Sequence, residues 1–344
     1  MRSEISKILI ENNLDPYDFD MDELYNIGRK NIFNNIEYYY DKDYSCKSVI
    51  KSLFSDGILK YIKSKTQKSK IESIVEERTK DILFESKKIS DKHKEITQSI
   101  EYAKSLQKAV LPSLSKIYKA LPNSFLFYKP KDIIGGDFYW FTTYNQYTYF
   151  AVADCTGHGV PGGMVSLVCS NALNKSLNEL KLLNTNEILD SSRDIVVDTF
   201  NKNGDEISDG MDIVLCRWEE EKSELQISGA NRPLWIFRNG GDLEEIRTDK
   251  QPVGKFLNHS PFSNVRINIY KGDNIYMFSD GYVDQFGGNN DSKFKTSQLR
   301  SLLLEIKNED IKRQEVFLVD SFNTWKGKSE QTDDICVWGI SLKN

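Results

Sequence analysis

Between residues 63 and 111 the chain carries neither glycine nor proline, and Pro112 closes the interval. Those two residues are the strongest local helix breakers. A Lys-, Glu- and Ser-rich stretch of this length without them predicts one continuous helix, ended where proline disfavours the α conformation in the residue before it. Within it Val75, Ile82, Ile89, Ile96, Ala103 and Val110 recur at a strict heptad interval, one column of a coiled-coil seam. The companion column is poor: Arg78, Glu85, Lys92 and Ser99 precede the apolar Leu106. Two readings fit, a solvated spacer and a parallel homodimer through residues 63–111 that passes a signal onward. The second is favoured, because marginal pairing lets a small input change register.

This helix divides the chain into an N-terminal segment (1–62), a coiled-coil signalling helix (63–111) and a C-terminal domain (112–344). The first segment has helix-like apolar spacing at Ile5, Ile8 and Leu9 and again at Leu53, Ile58, Leu59 and Ile62. A polar turn around Asn12-Asn13 and Asp15-Pro16 interrupts it, so a small, mainly helical unit of unknown role is expected. Its aromatic run Tyr38-Tyr39-Tyr40 is expected to pack a small core rather than to line a ligand pocket.

Beyond Ser113 the texture changes to short β-branched and aromatic runs punctuated by Gly and Asp. Strands are expected at 125–128, 138–142, 147–153, 212–218, 225–228, 234–237, 265–270, 274–278 and 335–340. Helices are expected at 163–183, 186–202, 296–306 and 311–325. Strand groups alternating with paired helices predict an α+β fold, an antiparallel β-sandwich flanked by helices.

Composition excludes several function classes. A formal charge of -5, from 46 Lys+Arg against 51 Asp+Glu, leaves no basic field for nucleic acid. Cys46, Cys155, Cys169, Cys216 and Cys336 show no zinc or disulfide spacing, which points to a reducing compartment. The first ten residues lack the apolar run of a signal peptide, and no apolar stretch of about 18 residues occurs. A cytoplasmic protein without a membrane span is expected.

The chemistry gathers at strand ends. Asp137 opens a strand after Gly135-Gly136, and Asp154 closes the next; if these pair as a hairpin, their open ends are adjacent. Asp280 ends one strand and Asp333, beside Asp334, starts the last, and antiparallel pairing would join those ends too. Taken singly, Gly-Asp and Asp-Gly pairs are ordinary turn formers. Four carboxylates at matching ends repel one another and would be driven to protonate unless cations neutralise them. Oxygen donors without His or Cys select hard ions, Mn²⁺ or Mg²⁺, and two ions sharing a bridging carboxylate suit attack on a phosphoester without a covalent enzyme intermediate.

The successive motifs Gly135-Gly136-Asp137-Phe138-Tyr139, Ala153-Asp154-Cys155-Thr156-Gly157-His158-Gly159, Ser279-Asp280-Gly281 and Thr332-Asp333-Asp334-Ile335 resemble the signatures of the SpoIIE/RsbU branch of the PPM metal-dependent serine/threonine protein phosphatases. Flanking pieces agree: Ala103-Lys104-Ser105-Leu106-Gln107 leading to Leu111-Pro112, Gly210-Met211-Asp212-Ile213, and Gly229-Ala230-Asn231-Arg232-Pro233-Leu234. The resemblance spans about residues 100–342. It implies that Asp154 bridges two metal ions, with the backbone carbonyl of Cys155 as a further ligand. Asp280 and Asp333 would complete the site. Asp137 would act on metal directly or through ordered water, and Asp334 would orient its neighbours or serve a third, looser ion. The implied substrate is a phosphoserine or phosphothreonine on a small STAS-domain protein, the antagonist of an anti-sigma factor.

The chain departs from the better-known eukaryotic members in two places. Gly136 stands where they have a second acid, and no arginine precedes Asp137 to clamp the phosphate. Lys129 and Lys131 are candidate substitutes as point charges. His158 is a candidate proton donor to the leaving oxygen, although its Gly-His-Gly setting also suits a plain turn into the following helix. Two other classes compete. A diguanylate cyclase shares the Gly-Gly-Asp loop but needs a carboxylate where Phe138 stands. A pseudophosphatase would keep the fold and bind a partner without turnover, against which all four aspartates argue.

Overall fold

The structure is a computed structural model and describes residues 2–35, 46–202, 208–239, 241 and 243–342. Tyr38, Tyr39 and Tyr40 lie outside the described residues. The chain forms two compact units, Met1–Lys94 and Glu95–Asn344.

In the first unit, helices α1 (Arg2–Glu11) and α2 (Met21–Asn35) pack with the start of α3 (Cys46–Val110). Ile5, Ile8, Leu9, Leu24, Ile58 and Ile62 form their core. The polar turn after α1 is built as expected: Asn13 takes a positive φ of 58°, and the Asp15 carboxylate caps a short turn that begins at Pro16. The long helix starts earlier than position 63. Residues 46–62 carry the expected helical spacing but include Gly57, outside the glycine-free interval, and they continue the same helix and donate Ile58 and Ile62 to the core. Along α3 the heptad residues Val75, Ile82, Ile89, Ile96 and Val110 are all exposed.

The second unit continues with α4 (Leu114–Ala120), β1 (Ser124–Lys129), β2 (Phe138–Tyr144), β3 (Tyr147–Cys155), α5 (Gly159–Asn178) and α6 (Thr185–Asn201). Strands β4 (Gly210–Glu219), β5 (Glu224–Ala230), β6 (Leu234–Phe237), β7 (Leu243–Ile246), β8 (Val253–Gly254), β9 (Val265–Asn268) and β10 (Asn274–Phe278) follow. The small hairpin β11 (Phe286–Gly287) and β12 (Ser292–Lys293) precedes α7 (Thr296–Ile306), α8 (Ile311–Lys326) and β13 (Ile335–Ile340).

Two antiparallel sheets result, in the orders β1-β13-β10-β6-β7 and β2-β3-β4-β5-β9, with β8 paired to β4. Strand alternation explains the layers. On β13, Cys336, Trp338 and Ile340 join Phe150, Val152, Val214 and Met277 in the core that holds Ile236 and Ile275 from the same two sheets, while Ile335 and Val337 pack with Leu299, Leu303, Leu318 and Phe322 of α7 and α8. On β3, Ala151, Ala153 and Cys155 pack instead with Cys169, Leu173 and Ile188 of α5 and α6. The domain is therefore a β-sandwich flanked by helices on both outer faces, as the strand and helix runs predict. Of the strands absent from the sequence reading, β8, β11 and β12 have two residues each, too few for periodicity to carry a signal, and β7 has four.

Candidate active site

The site lies where two strand pairings end together. β2 and β3 form the expected hairpin, with Phe138 opposite Ala153, so Asp137 and Asp154 flank its open end. Asp154 also faces Asp212 across the β3–β4 pair. In the other sheet Phe278 pairs with Val337 and the Ser279 N–H donates to the Cys336 carbonyl at 2.9 Å, which brings Asp280 beside the start of β13. The segments approach as closely as backbones allow. A Cβ at Gly281 would stand 1.9 Å from the Asp334 carbonyl oxygen, and one at Gly136 would stand 2.2 Å from that of Gly157. Only glycine fits either position.

Asp154, Cys155, His158, Asp280 and Asp333 line one cavity of about 330 Å³ together with Asp212 and Arg232. Asp137 lies deeper. Its side chain is almost fully buried, and Oδ2 has no hydrogen-bond partner. Burial first, and then the neighbouring Asp154 charge, hold its carboxyl well above the ordinary range, with the Ser279 hydroxyl opposing them. Burial likewise pushes Asp154 up to about 7, against the Arg232 charge and with Asp280, Asp333 and Asp212 adding to the rise. Both shifts have one cause: negative groups are held together in a desolvated place. The Cys155 thiol is buried among apolar residues, and burial raises it too, so it is no nucleophile.

Asp334 is buried and engaged with backbone. Its Oδ1 accepts from the Lys131 N–H at 2.7 Å and its Oδ2 from the Gly136 N–H at 2.6 Å. Burial raises its carboxyl while those bonds oppose the rise. Asp333 turns one oxygen back to accept from the Asp334 N–H at 2.8 Å.

His158 stands at the N-terminus of α5, with Nδ1 2.9 Å from Asp132 Oδ2 and Nε2 3.3 Å from Lys131 Nζ. An Nδ1–H donated to the carboxylate leaves Nε2 as acceptor for the ammonium. Lys131 is therefore brought to the rim of the site through His158. Lys129 is not brought there: its ammonium lies over the Phe322 ring, 5.5 Å from the centroid. Asp212 and Arg232, to which the sequence reading assigned no site role, are brought in. Both sit inside motifs that carried the family resemblance, and that membership was the available signal.

The donor set suits hard divalent cations. An orphaned buried carboxylate oxygen on Asp137 and a cluster of carboxylates in which burial first, and then mutual repulsion, raises Asp137 and Asp154 both call for positive charge. As placed, no three His, Cys, Asp or Glu side chains among the described residues are spaced to hold an ion. The guanidinium of Arg232 lies between Asp154 and Asp280, donating from Nη2 at 2.5 and 2.8 Å.

The family model described as Stage II sporulation protein E (SpoIIE) matches residues 145–343, more than half of the chain. The chain belongs to the SpoIIE family. It is a protein serine/threonine phosphatase of the PPM type, and metal dependence is typical of that family.

Solved structures share the fold of this SpoIIE-family chain. The SiaA-PP2C domain of Pseudomonas aeruginosa matches with a TM-score of 0.66 at 24% identity, covering 72% of this chain and 98% of that one. The PP2C phosphatase domain and a regulatory-domain fragment of SpoIIE from Bacillus subtilis match with a TM-score of 0.52 at 17% identity, over 64% and 61%. The RsbU and RsbW domains of a Mycobacterium tuberculosis protein match with a TM-score of 0.52 at 17% identity, over 64% and 60%. The chain thus spans nearly all of the first and about three fifths of the other two. No curated protein matches it in sequence. Among the described residues no helix is long and apolar enough to cross a membrane.

Proposed function

We propose that this phosphatase removes phosphate from a serine or threonine of a STAS-domain regulator in a partner-switching pathway, using two Mn²⁺ or Mg²⁺ ions. The observation that carries the metal reading is the orphaned buried Oδ2 of Asp137, beside the charge of Asp154. The substrate reading rests on the family and on one structural neighbour that joins an RsbU domain to an RsbW domain.

In this reading Asp154, Asp280, Asp333 and the Cys155 carbonyl would hold the ions, and the buried Asp137 would act on them directly or through ordered water. The bound ions would supply Lewis acidity and an activated water for in-line displacement at phosphorus. Asp334 holds the loop that sets Asp137. His158, oriented by Asp132, would hand a proton from Nε2 to the departing serine oxygen, which requires that Nε2, the acceptor for Lys131 as placed, first take up a proton to give the imidazolium and that Lys131 give up its contact. Residues 63–111 pair two copies in parallel through the exposed heptad column and carry a signal to the catalytic unit in a cytoplasmic protein.

The test is a trapping experiment with Asp154→Asn as bait, followed by phosphosite mapping. Recovery of a STAS-domain phosphoprotein that wild-type enzyme then dephosphorylates with Mn²⁺ supports the reading. Recovery of nucleotides or lipids alone overturns it.

A further inference from the structure

Arg232 is mounted on a rigid turn. The Asn231 N–H donates to the Asp249 carbonyl at 2.8 Å, the Arg232 N–H to the Ala230 carbonyl at 2.7 Å, and the Thr248 hydroxyl to the Arg232 carbonyl at 3.0 Å. From there the side chain, 16% exposed, reaches Asp154 on β3 and Asp280 after β10. Its Nη2 also lies 3.9 Å from Asp212 Oδ2, and Asp212 is itself fixed by the Asn231 amide at 2.7 Å. The Nε–H is buried and meets no acceptor. A cation with one unmet donor therefore sits on the two carboxylates expected to hold metal, in a chain with no arginine between residues 79 and 136 to clamp phosphate beside Asp137.

We infer that Arg232 is the phosphate-binding residue of this enzyme and that it exchanges places with the divalent ions. A doubly charged ion on Asp154 and Asp280 repels a guanidinium at hydrogen-bond distance and takes the lone pairs that held it. Asp212 remains as an anchor that is no part of the expected ligand set, so the displaced arginine stays on the wall of the same cavity. There its planar fork matches a phosphate dianion. When no ion is bound, the same side chain neutralises the cluster and keeps the site assembled. The inference rests on the phosphatase reading above and deepens it.

Two measurements on the full chain test it, comparing wild type with Arg232→Ala and Arg232→Lys. Calorimetric titration with Mn²⁺ should show tighter binding by Arg232→Ala, and its metal-free melting temperature should fall. At saturating Mn²⁺, the inhibition constant of inorganic phosphate and the KM for a phosphopeptide should rise about 10- to 100-fold, the worth of a charge-assisted hydrogen bond, with kcat changed far less. Arg232→Lys keeps a charge in the site should Arg232→Ala fail to fold, and should fall between wild type and Arg232→Ala in phosphate inhibition. Mn²⁺ binding no tighter in Arg232→Ala, or phosphate inhibition and KM unchanged in both variants, overturns the inference. A wild-type protein that binds Mn²⁺ but hydrolyses no phosphoester would instead overturn the phosphatase reading, and the calorimetry would still report on the exchange.

Discussion

The Gly136 N–H donates to Asp334 Oδ2 at 2.6 Å across 198 residues of sequence, and this bond holds the loop that delivers Asp137. The second oxygen of Asp334 takes the Lys131 N–H, so one buried carboxylate fixes both ends of the 131–136 loop. Asp334→Ala leaves the Lys131 and Gly136 N–H donors without acceptors and should cost about 2–6 kcal/mol, at one to three per unsatisfied group. Activity should fall with it because Asp137 loses its mount. Denaturant unfolding and Mn²⁺-dependent hydrolysis of p-nitrophenyl phosphate check both effects. A variant with wild-type stability and turnover would show that the loop holds itself.

Substitutions of the proposed metal ligands should separate activity from stability. Asp154→Asn and Asp280→Asn are expected to lower turnover at least about 100-fold, the equivalent of roughly 2.7 kcal/mol of transition-state stabilisation. EDTA should abolish wild-type activity, and Mn²⁺ should restore it. The metal-free fold should survive or gain, since each change removes one member of a repelling cluster. Asp137→Asn should raise the metal-free melting temperature most clearly, because its carboxylate is almost fully buried and its Oδ2 has no hydrogen-bond partner. Melting curves in EDTA alongside Mn²⁺ turnover read this out; full turnover by Asp154→Asn in EDTA would refute metal catalysis.

Gly281→Ala places a methyl group 1.9 Å from a backbone carbonyl oxygen, which no side-chain rotation relieves. The strands carrying Asp280 and Asp334 must separate, at a cost of about 1–3 kcal/mol by analogy with overpacked cores. Activity should drop further than stability, because catalytic geometry tolerates less displacement than folding does. Urea titration against turnover distinguishes the two, and equal losses would mean that the close approach serves only packing.

The end of the long helix is tied to the catalytic loop by one side chain. Gln107 Nε2 donates to the Gly135 carbonyl at 2.7 Å and to the Ser166 hydroxyl at 3.0 Å. Gln107→Ala should lose about 1–3 kcal/mol, the cost of leaving a buried acceptor unmet, and should change basal activity. Denaturation and basal turnover, measured together, test that link.

Ile89 and Ile96 are exposed along the heptad column, and replacing both with Asp should give a monomer with altered turnover. Sedimentation velocity and a turnover assay decide. An unchanged sedimentation coefficient with unchanged activity would leave the helix a spacer.

Much of this protein is written locally. The β2–β3 hairpin, the strand at β13, the helices α7 and α8 and the long α3 follow from alternation, heptad spacing and the absence of glycine and proline, all set by residues a few positions apart. The candidate aspartates were legible for the same reason: each sits at a strand end, and Asp137, Asp280 and Asp333 have a glycine or a second aspartate beside them. The continuity of α3 back to residue 46 was not, because Gly57 interrupts the glycine-free run and the helix there is held by packing on α1 and α2. Side-chain destinations across the site were less legible still. Arg232 meets Asp154 across 78 residues, and Asp334 meets Gly136 across 198. Lys129, at the end of β1, turns to Phe322 instead of the cavity. Such contacts depend on sheet order, register and the stacking of two sheets, and no spacing along the chain encodes them. Local chemistry determined which residues carry charge at strand ends, and the tertiary structure decided which of those charges meet.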